Sequence, residues 1–335
     1  MIKIVIFAFC LGLVLSNTIS LPLTFNSHGL GIEVRYGTQQ CPTFMVIDTF
    51  SCDFQVFDKE SSQCGINELK IKDKNYYNAP FQIGQISTEL NFTIPNSDKG
   101  LSLFCLAPVA QSFNVIQELY DQKLINNRTF FFNVTNLDNS IAQESIDVGF
   151  LNIGEPDYSL IKSGTKANQL KSYDYEHRYS IRGSNKFRYD GESIPLHSIQ
   201  TDQYFPFEFS YIQNCITLNK KSIKAMLKAF ELKAIKYSKY NEGDIYVDKI
   251  EGMGDFEFDL YQEDGQIFTV SLAPQEYSER QSDGTYYLRF CEPFGKVGQQ
   301  VVLGQQIFNK YYVGYNLDHN SNFIAEKAQI QIEQI

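Results

Sequence analysis

Tryptophan is absent from the 335 residues, and histidine and methionine occur only four times each. His28, His177, His197 and His319 are scattered, without the spacing that a metal site or a histidine-activated nucleophile requires, and are expected at surface or turn positions. Charge is scarce too, at 20% of residues, and low-complexity tracts are missing, which argues against wholesale disorder. Basic residues are outnumbered, 29 Lys and Arg against 39 Asp and Glu, for a net charge of -10. With no basic cluster to offset this, nucleic acid is not an expected partner. No glycine-rich phosphate loop occurs, and Gly252-Met253-Gly254 reads as a turn in an acidic stretch. No cofactor and no metal are expected.

Apolar runs of membrane-spanning length are lacking as well. Ile4 to Leu15, behind the positive start Met1-Ile2-Lys3, is too short for a comfortable span and has the length of a secretory leader core. Residues 1–17 are therefore read as a signal peptide, with an uncleaved anchor as the rival. The end of the chain, Ile330 to Ile335, lacks the hydrophobic tail of a lipid anchor. The expected product is secreted, or held in the lumen of the secretory or lysosomal pathway, with no membrane association after leader removal. The triplets at Asn91, Asn127 and Asn133 match the glycosylation pattern. Six cysteines remain once Cys10 leaves with the leader, an even number suited to disulfides in an oxidising compartment. Zinc is the weaker alternative, because no two of them sit at short metal-ligand spacing.

What is abundant points to strands. There are 21 Tyr and 27 Phe, and hydrophobic residues make up 43% of the chain. Short alternating runs separated by turn residues fill the first half: Leu30 to Tyr36, Phe44 to Thr49, Phe54 to Phe57, Phe81 to Ile86 and Leu90 to Ile94. One helical stripe, Phe113, Ile116, Leu119 and Tyr120, interrupts them, before strands at Thr129 to Val134 and Ile146 to Ile153. A polar stretch with Pro156 and Gly164 marks the boundary between lobes. The second half repeats the plan, with strands at Tyr179 to Ile181, Phe207 to Ile212, Asp255 to Leu260, Ile267 to Leu272 and Tyr286 to Phe290. Its helix carries Ile223, Leu227, Phe230 and Ala234 on one face. The expected division is an N-terminal β lobe at 21–158, a linker at 159–175 and a C-terminal β lobe at 176–335.

Tyr36-Gly37-Thr38, followed by Phe44-Met45-Val46-Ile47-Asp48-Thr49, resembles the opening of the pepsin-like aspartic endopeptidases, where a hydrophobic strand ends in Asp-Thr-Gly-Ser. Gly100 to Pro108, Val115-Ile116, Leu119-Tyr120 and Leu124-Ile125 are similar to the family's loop, helix and turn. Phe130 to Val134 and Ile146 to Gly154 resemble the strands that close its first lobe. Val301 to Tyr312, Tyr315 to Asp318 and Asn322 to Ala325 look like its C-terminal block. The set is collinear over nearly the whole mature chain. The resemblance implies a mostly β, bilobal pepsin-like acid protease fold, with two β-barrel-like lobes and a cleft between them.

The family's chemistry needs two carboxylates close enough to share a proton, one acting as base on water and the other polarising the scissile carbonyl. Asp48 falls on the first position, but Phe50 stands where the family has glycine. On the second, the resemblance puts Ser210-Tyr211-Ile212 in place of Asp-Thr-Gly, so Ser210 occupies the position of the missing aspartate. Glu208 shares the strand face but lies about 7 Å back along the strand, and Asp202 precedes the strand. The flap that covers the family's cleft is shortened or rebuilt here, with Tyr76 or Tyr77 as its candidate tyrosine. Cys52 and Cys64 could close a loop after the first motif. Cys291 matches one half of the second-lobe disulfide, and Cys215 is a candidate for the other. The expectation is a non-catalytic, secreted aspartic peptidase-like glycoprotein that binds a peptide or protein in the cleft. The alternatives are an active acid endopeptidase with a divergent second motif, and a structural or storage glycoprotein.

Overall fold

The computed structural model describes residues 18–49, 54–57, 64–65, 67–71, 74–94, 101–107, 114–135, 145–173, 179–196, 204–233, 235–240, 244–293, 300–319 and 321–328. The expected leader at 1–17, Phe50, Cys52 and Asp202 lie outside them, as do His177, His197 and Ala234.

Strands of the first half are β1 (Ile19–Asn26), β2 (Gly29–Tyr36), β3 (Cys41–Asp48), β4 (Asn67–Ile71), β5 (Lys74–Ile83), β6 (Ile86–Phe92), β7 (Ser102–Cys105), β8 (Thr129–Val134) and β9 (Ile146–Ile153). β1 is not among the strands expected from sequence, yet it alternates: Ile19, Leu21, Leu23 and Phe25 are buried while Ser20 and Pro22 are exposed. Helix α1 (Val115–Asp121) starts at Asn114, whose side chain accepts from the amides of Ile116 at 2.8 Å and Gln117 at 3.2 Å. It buries Val115, Ile116 and Leu119.

After the boundary come β10 (Asn168–Leu170), β11 (Ile181–Tyr189), β12 (Glu192–Pro195), β13 (Tyr204–Phe209) and β14 (Ile216–Thr217). Helix α2 (Lys220–Leu232), capped by Asn219, buries Ile223, Leu227 and Phe230 of the stripe expected from sequence, and Met226 with them. Then follow β15 (Tyr237–Tyr240), β16 (Asp244–Val247), β17 (Phe256–Tyr261), β18 (Ile267–Leu272), α3 (Pro274–Tyr277), β19 (Ser278–Arg280), β20 (Tyr286–Leu288), β21 (Phe290–Cys291), β22 (Val301–Leu303), α4 (Gln305–Lys310), β23 (Tyr311–Asn316) and β24 (Ser321–Glu326).

The sheets do not follow the division at the boundary. The largest runs β10-β24-β23-β8-β9-β1-β2-β3-β7, with β5 joined to β2 and flanked by β4 and β6. Its middle is built from both ends of the chain, because β23 pairs antiparallel with β8 through Val313↔Phe132 and Tyr315↔Phe130. Two stretches expected elsewhere thus join the sheet of the first lobe: β23–β24 from the C-terminal lobe and β10 from the linker. Tyr315 of β23 and Ile324 of β24 are buried, and Tyr315 stacks on Phe130 of β8 with centroids 4.8 Å apart. The second lobe keeps an eight-stranded sheet, β18-β17-β11-β13-β22-β14-β21 with β12 on β11, and a four-stranded one, β15-β16-β20-β19. The described sheets are open and do not close into barrels.

Disulfides staple each lobe. Cys64 pairs with Cys41, not with Cys52, because the turn after β2 lies against it: Gln39 N donates to Cys64 O at 3.3 Å and the two Cα atoms are 5.7 Å apart. Gly37, with φ of 76°, enables that approach, since a Cβ there would sit 1.9 Å from Cys64 O. Cys215 pairs with Cys291, as the sequence allowed. Cys105 is disulfide-bonded as well.

One buried acid makes stability depend on pH. Glu118 of α1 accepts from Asn91 N at 3.0 Å through Oε2, while its Oε1 is buried with no hydrogen-bond partner among the described residues. Burial pushes its pKa up to about 7 from an ordinary 4.5, against the Asn91 bonds. The folded state therefore binds more protons than the unfolded one between these two values. Its contribution is fully present below about pH 4.5 and is lost as pH rises through 7. Allowing for partial exposure, Glu118→Gln should remove about 1–2 kcal/mol of this acid-side preference. Urea unfolding at pH 4.5 and pH 7.5 measures it; equal slopes in both proteins would refute the assignment.

Candidate active site

Both motif positions sit at the ends of parallel strand pairs, where the chain leaves the sheet. Asp48 ends β3, which runs parallel to β7 with Asp48 opposite Cys105, and Leu106 N donates to Asp48 O at 2.8 Å. In the second lobe β13 runs parallel to β22 with Phe209 opposite Leu303, and Ser210 N, one residue on, donates to Leu303 O at 3.0 Å. Asp48 is thus the last residue of its strand, and Ser210 is the first residue after its own.

Beneath them the two halves are tied by tyrosine hydroxyls. Tyr211 OH donates to the carbonyl of Ile47, the residue before Asp48. Tyr315 OH donates to the carbonyl of Phe209, the residue before Ser210, at 3.2 Å. Tyr179 OH donates to Leu106 O at 2.9 Å. Each hydroxyl satisfies a buried carbonyl at the floor of the site. The rings form one block: Phe130 stacks on Tyr315 with centroids 4.8 Å apart, Tyr179 meets Tyr315 at 4.8 Å, and Phe132 lies 5.3 Å from Tyr211. Burial pushes the Tyr211 phenol far up, and the neighbouring Asp48 carboxylate pushes it further, while hydrogen bonds with Thr49 oppose them. Tyr179 and Tyr315 are raised by burial as well. All three are neutral phenols over the range in which proteins work.

The chemistry at the two motif positions is unequal. Asp48 supplies a carboxylate. Ser210 is fully buried, and its Oγ has no hydrogen-bond partner among the described residues. A neutral hydroxyl cannot hold the shared proton or the negative charge of a second acid. Glu208, 4% exposed and two residues back in β13, accepts from Gln300 Nε2 at 3.0 Å. Ile212 is 54% exposed and borders a depression of about 330 Å³ with Phe25, His28, Val46 and Gln305. Gln305 supports that wall, its Nε2 donating to Tyr211 O at 2.9 Å and its backbone N to Gln213 O at 2.8 Å.

The flap candidates lie in β5, which pairs with β4 and β6. Tyr77 is half-buried and stacks on Phe92 with centroids 5.9 Å apart, packed against the hydrophobic core. The side chain of Tyr76 lies outside the described residues. Asn133 of β8 is only 6% exposed and Asn91 is half-buried, whereas Asn127 is exposed in the turn after α1. His28 and His319 are near turns; among the described residues no group of three His, Cys, Asp or Glu could hold a metal. No helix among them is long and apolar enough to cross a membrane.

Tyr179, Tyr315 and Gln305 went unnoticed in the sequence. The signal available was the replacement of Thr by Tyr at 211: the longer side chain moves the hydroxyl by the length of a ring, so other groups must be rearranged around it.

No family model matches the sequence, and no curated protein is similar to it by sequence. Among solved structures, an aspartic proteinase from Irpex lacteus is similar with a TM-score of 0.70 at 12% sequence identity, over 94% of this chain and 99% of that one. At that identity the likeness is one of fold, and it extends over both lobes. The chain has the mostly β, bilobal fold of the pepsin-like aspartic proteinases.

Proposed function

We propose that this is a peptidase-like protein of the secretory pathway whose inter-lobe cleft holds an extended peptide or protein segment without cleaving it. The observation that supports the reading is Asp48 at the end of β3 and the buried hydroxyl of Ser210 just after β13, unpartnered among the described residues: one carboxylate at the two motif positions, where peptide hydrolysis needs two. Fold alone does not assign an activity; the site residues do. The disulfides agree with an oxidising compartment. The buried carbonyl caps keep the floor of the cleft intact, which a binding role still requires. An extended segment can use backbone hydrogen bonds along a cleft between β lobes, with side-chain pockets adding selectivity.

The test is incubation of the leader-free protein with acid-denatured haemoglobin, with and without pepstatin, beside Asp48→Ala. The expected result is no cleavage above the mutant control, together with saturable binding of fluorescein-labelled casein peptides that competes with pepstatin. Pepstatin-sensitive cleavage abolished in Asp48→Ala would refute the non-catalytic reading. A second reading, an active enzyme, draws on the buried carboxylate of Glu208, two residues from Ser210. It predicts cleavage that disappears in Glu208→Gln while binding persists.

A further inference from the structure

The three Asn-x-Thr triplets differ in what the fold leaves of them. Asn133 lies inside β8, opposite Phe150 on β9, and is 6% exposed. Its side chain is covered at the face of the sheet, which leaves a sugar no room. Asn91 in β6 is half-buried; its Oδ1 accepts from Asn78 Nδ2 at 3.2 Å and its backbone N donates to Glu118. Asn127 stands exposed in the turn between α1 and β8. Its Nδ2 donates to Glu155 Oε1. A primary amide has two N–H hydrogens, so substitution of one leaves the other for Glu155.

Asn127 is also at the rim of a groove of about 600 Å³ on the outer face of the large sheet, in the size range of sites that hold small molecules. Phe323, half-buried and 5.7 Å from the buried ring of Phe131, contributes aromatic surface to it. Tyr158 stands beside them with 68% of its surface exposed, an uncovered ring on a described surface with few such rings. Thr165, Lys166 and Asp318 add exposed polar groups. Aromatic faces flanked by hydroxyl, ammonium and carboxylate groups suit a carbohydrate, which presents C–H faces and hydroxyl edges to the same neighbour.

We propose that Asn127 carries an N-linked glycan and that its first sugars lie in this groove against Tyr158, so that the protein supplies both the attachment point and the seat. The proposal rests on the reading of the chain as a secretory product. In the step, Nδ2 attacks the anomeric carbon of an oligosaccharide carried on a lipid diphosphate. The C–N bond forms, the C–O bond to the diphosphate breaks, and the amide proton leaves to the surroundings while the lipid diphosphate departs as an anion. A seated glycan shields its own linkage. The amidase that releases N-glycans would act slowly on native protein and fast once it is unfolded.

The experiment is expression of the full chain, with its own leader, in a eukaryotic secretory host, followed by peptide mass mapping of the wild-type protein and timed amidase release. The expected result is a glycan on Asn127, and native release at least about tenfold faster in Tyr158→Ala, a surface substitution that leaves the core untouched. Secreted, disulfide-bonded protein with Asn127 bare overturns the proposal and leaves the secretory reading standing. Retention in the cytosol with reduced cysteines overturns both. A glycan on Asn127 released at the same rate in Tyr158→Ala overturns the seat.

Discussion

Replacing Tyr211 by alanine should lower stability by about 3–5 kcal/mol, while Tyr211→Phe should cost about 1–2 kcal/mol. The two figures separate two roles of one side chain. The ring is 1% exposed and fills space between Phe132, at 5.3 Å, and Phe308, at 6.1 Å. Alanine leaves a cavity under both motifs that the stacked aromatic block cannot collapse to fill. Phenylalanine keeps the packing and removes only the hydroxyl that caps the Ile47 carbonyl, so its cost is that of a buried acceptor losing a donor. Urea unfolding of the three proteins at one pH measures the difference. Equal losses for the two variants would mean that the hydroxyl, not the ring, holds the lobes together at this point.

The second large effect belongs to the disulfide between Cys215 and Cys291. It spans 76 residues, and its removal in Cys215→Ala/Cys291→Ala should cost about 4 kcal/mol by the loop-closure estimate. The shorter Cys41–Cys64 loop, 23 residues, should cost about 1 kcal/mol less. The bridge joins the segment just after Ser210 to β21, and β14 and β21 run parallel there with Thr217 opposite Cys291. Loss of this disulfide therefore loosens the approach to the second motif as well as the lobe. Guanidinium unfolding of each double variant gives the comparison. A loss for the 76-residue bridge smaller than for the 23-residue one would show that native-state packing, and not loop entropy, sets its contribution.

Much of the architecture was legible along the chain because it is local. Period-2 alternation sets which face of a strand is apolar, so β2 could be read from Leu30 to Tyr36, whereas β1 was not singled out. The helix stripe of α2 follows from a 3.6-residue period in the same way. The collinear resemblance to the pepsin-like family implied Asp48 and Ser210 as the paired positions, and each stands where one strand of a parallel pair ends. Residue type alone then decides that one of the two is not an acid.

Contacts between distant segments were not legible. Which half of the chain completes a sheet depends on which edge is free once the other strands have paired, and β23–β24 fill the edge beside β8, some 180 residues away in sequence, rather than one in their own lobe. Cys64 was expected opposite Cys52, and the turn held by Gly37 brings Cys41 to it instead. Tyr77 sits in a strand whose neighbours turn its ring onto Phe92, which no local pattern encodes. Residue identity and neighbours within a turn or two were enough for the strand-rich fold class, the apolar face of α2 and the serine at residue 210. The tyrosine caps on the Ile47 and Phe209 carbonyls, the exposure of Asn127 against the burial of Asn133, and the merging of both chain ends in one sheet arise in the folded chain alone. Those depend on surfaces that meet only after the chain has folded, where close packing leaves each buried carbonyl a single donor within reach.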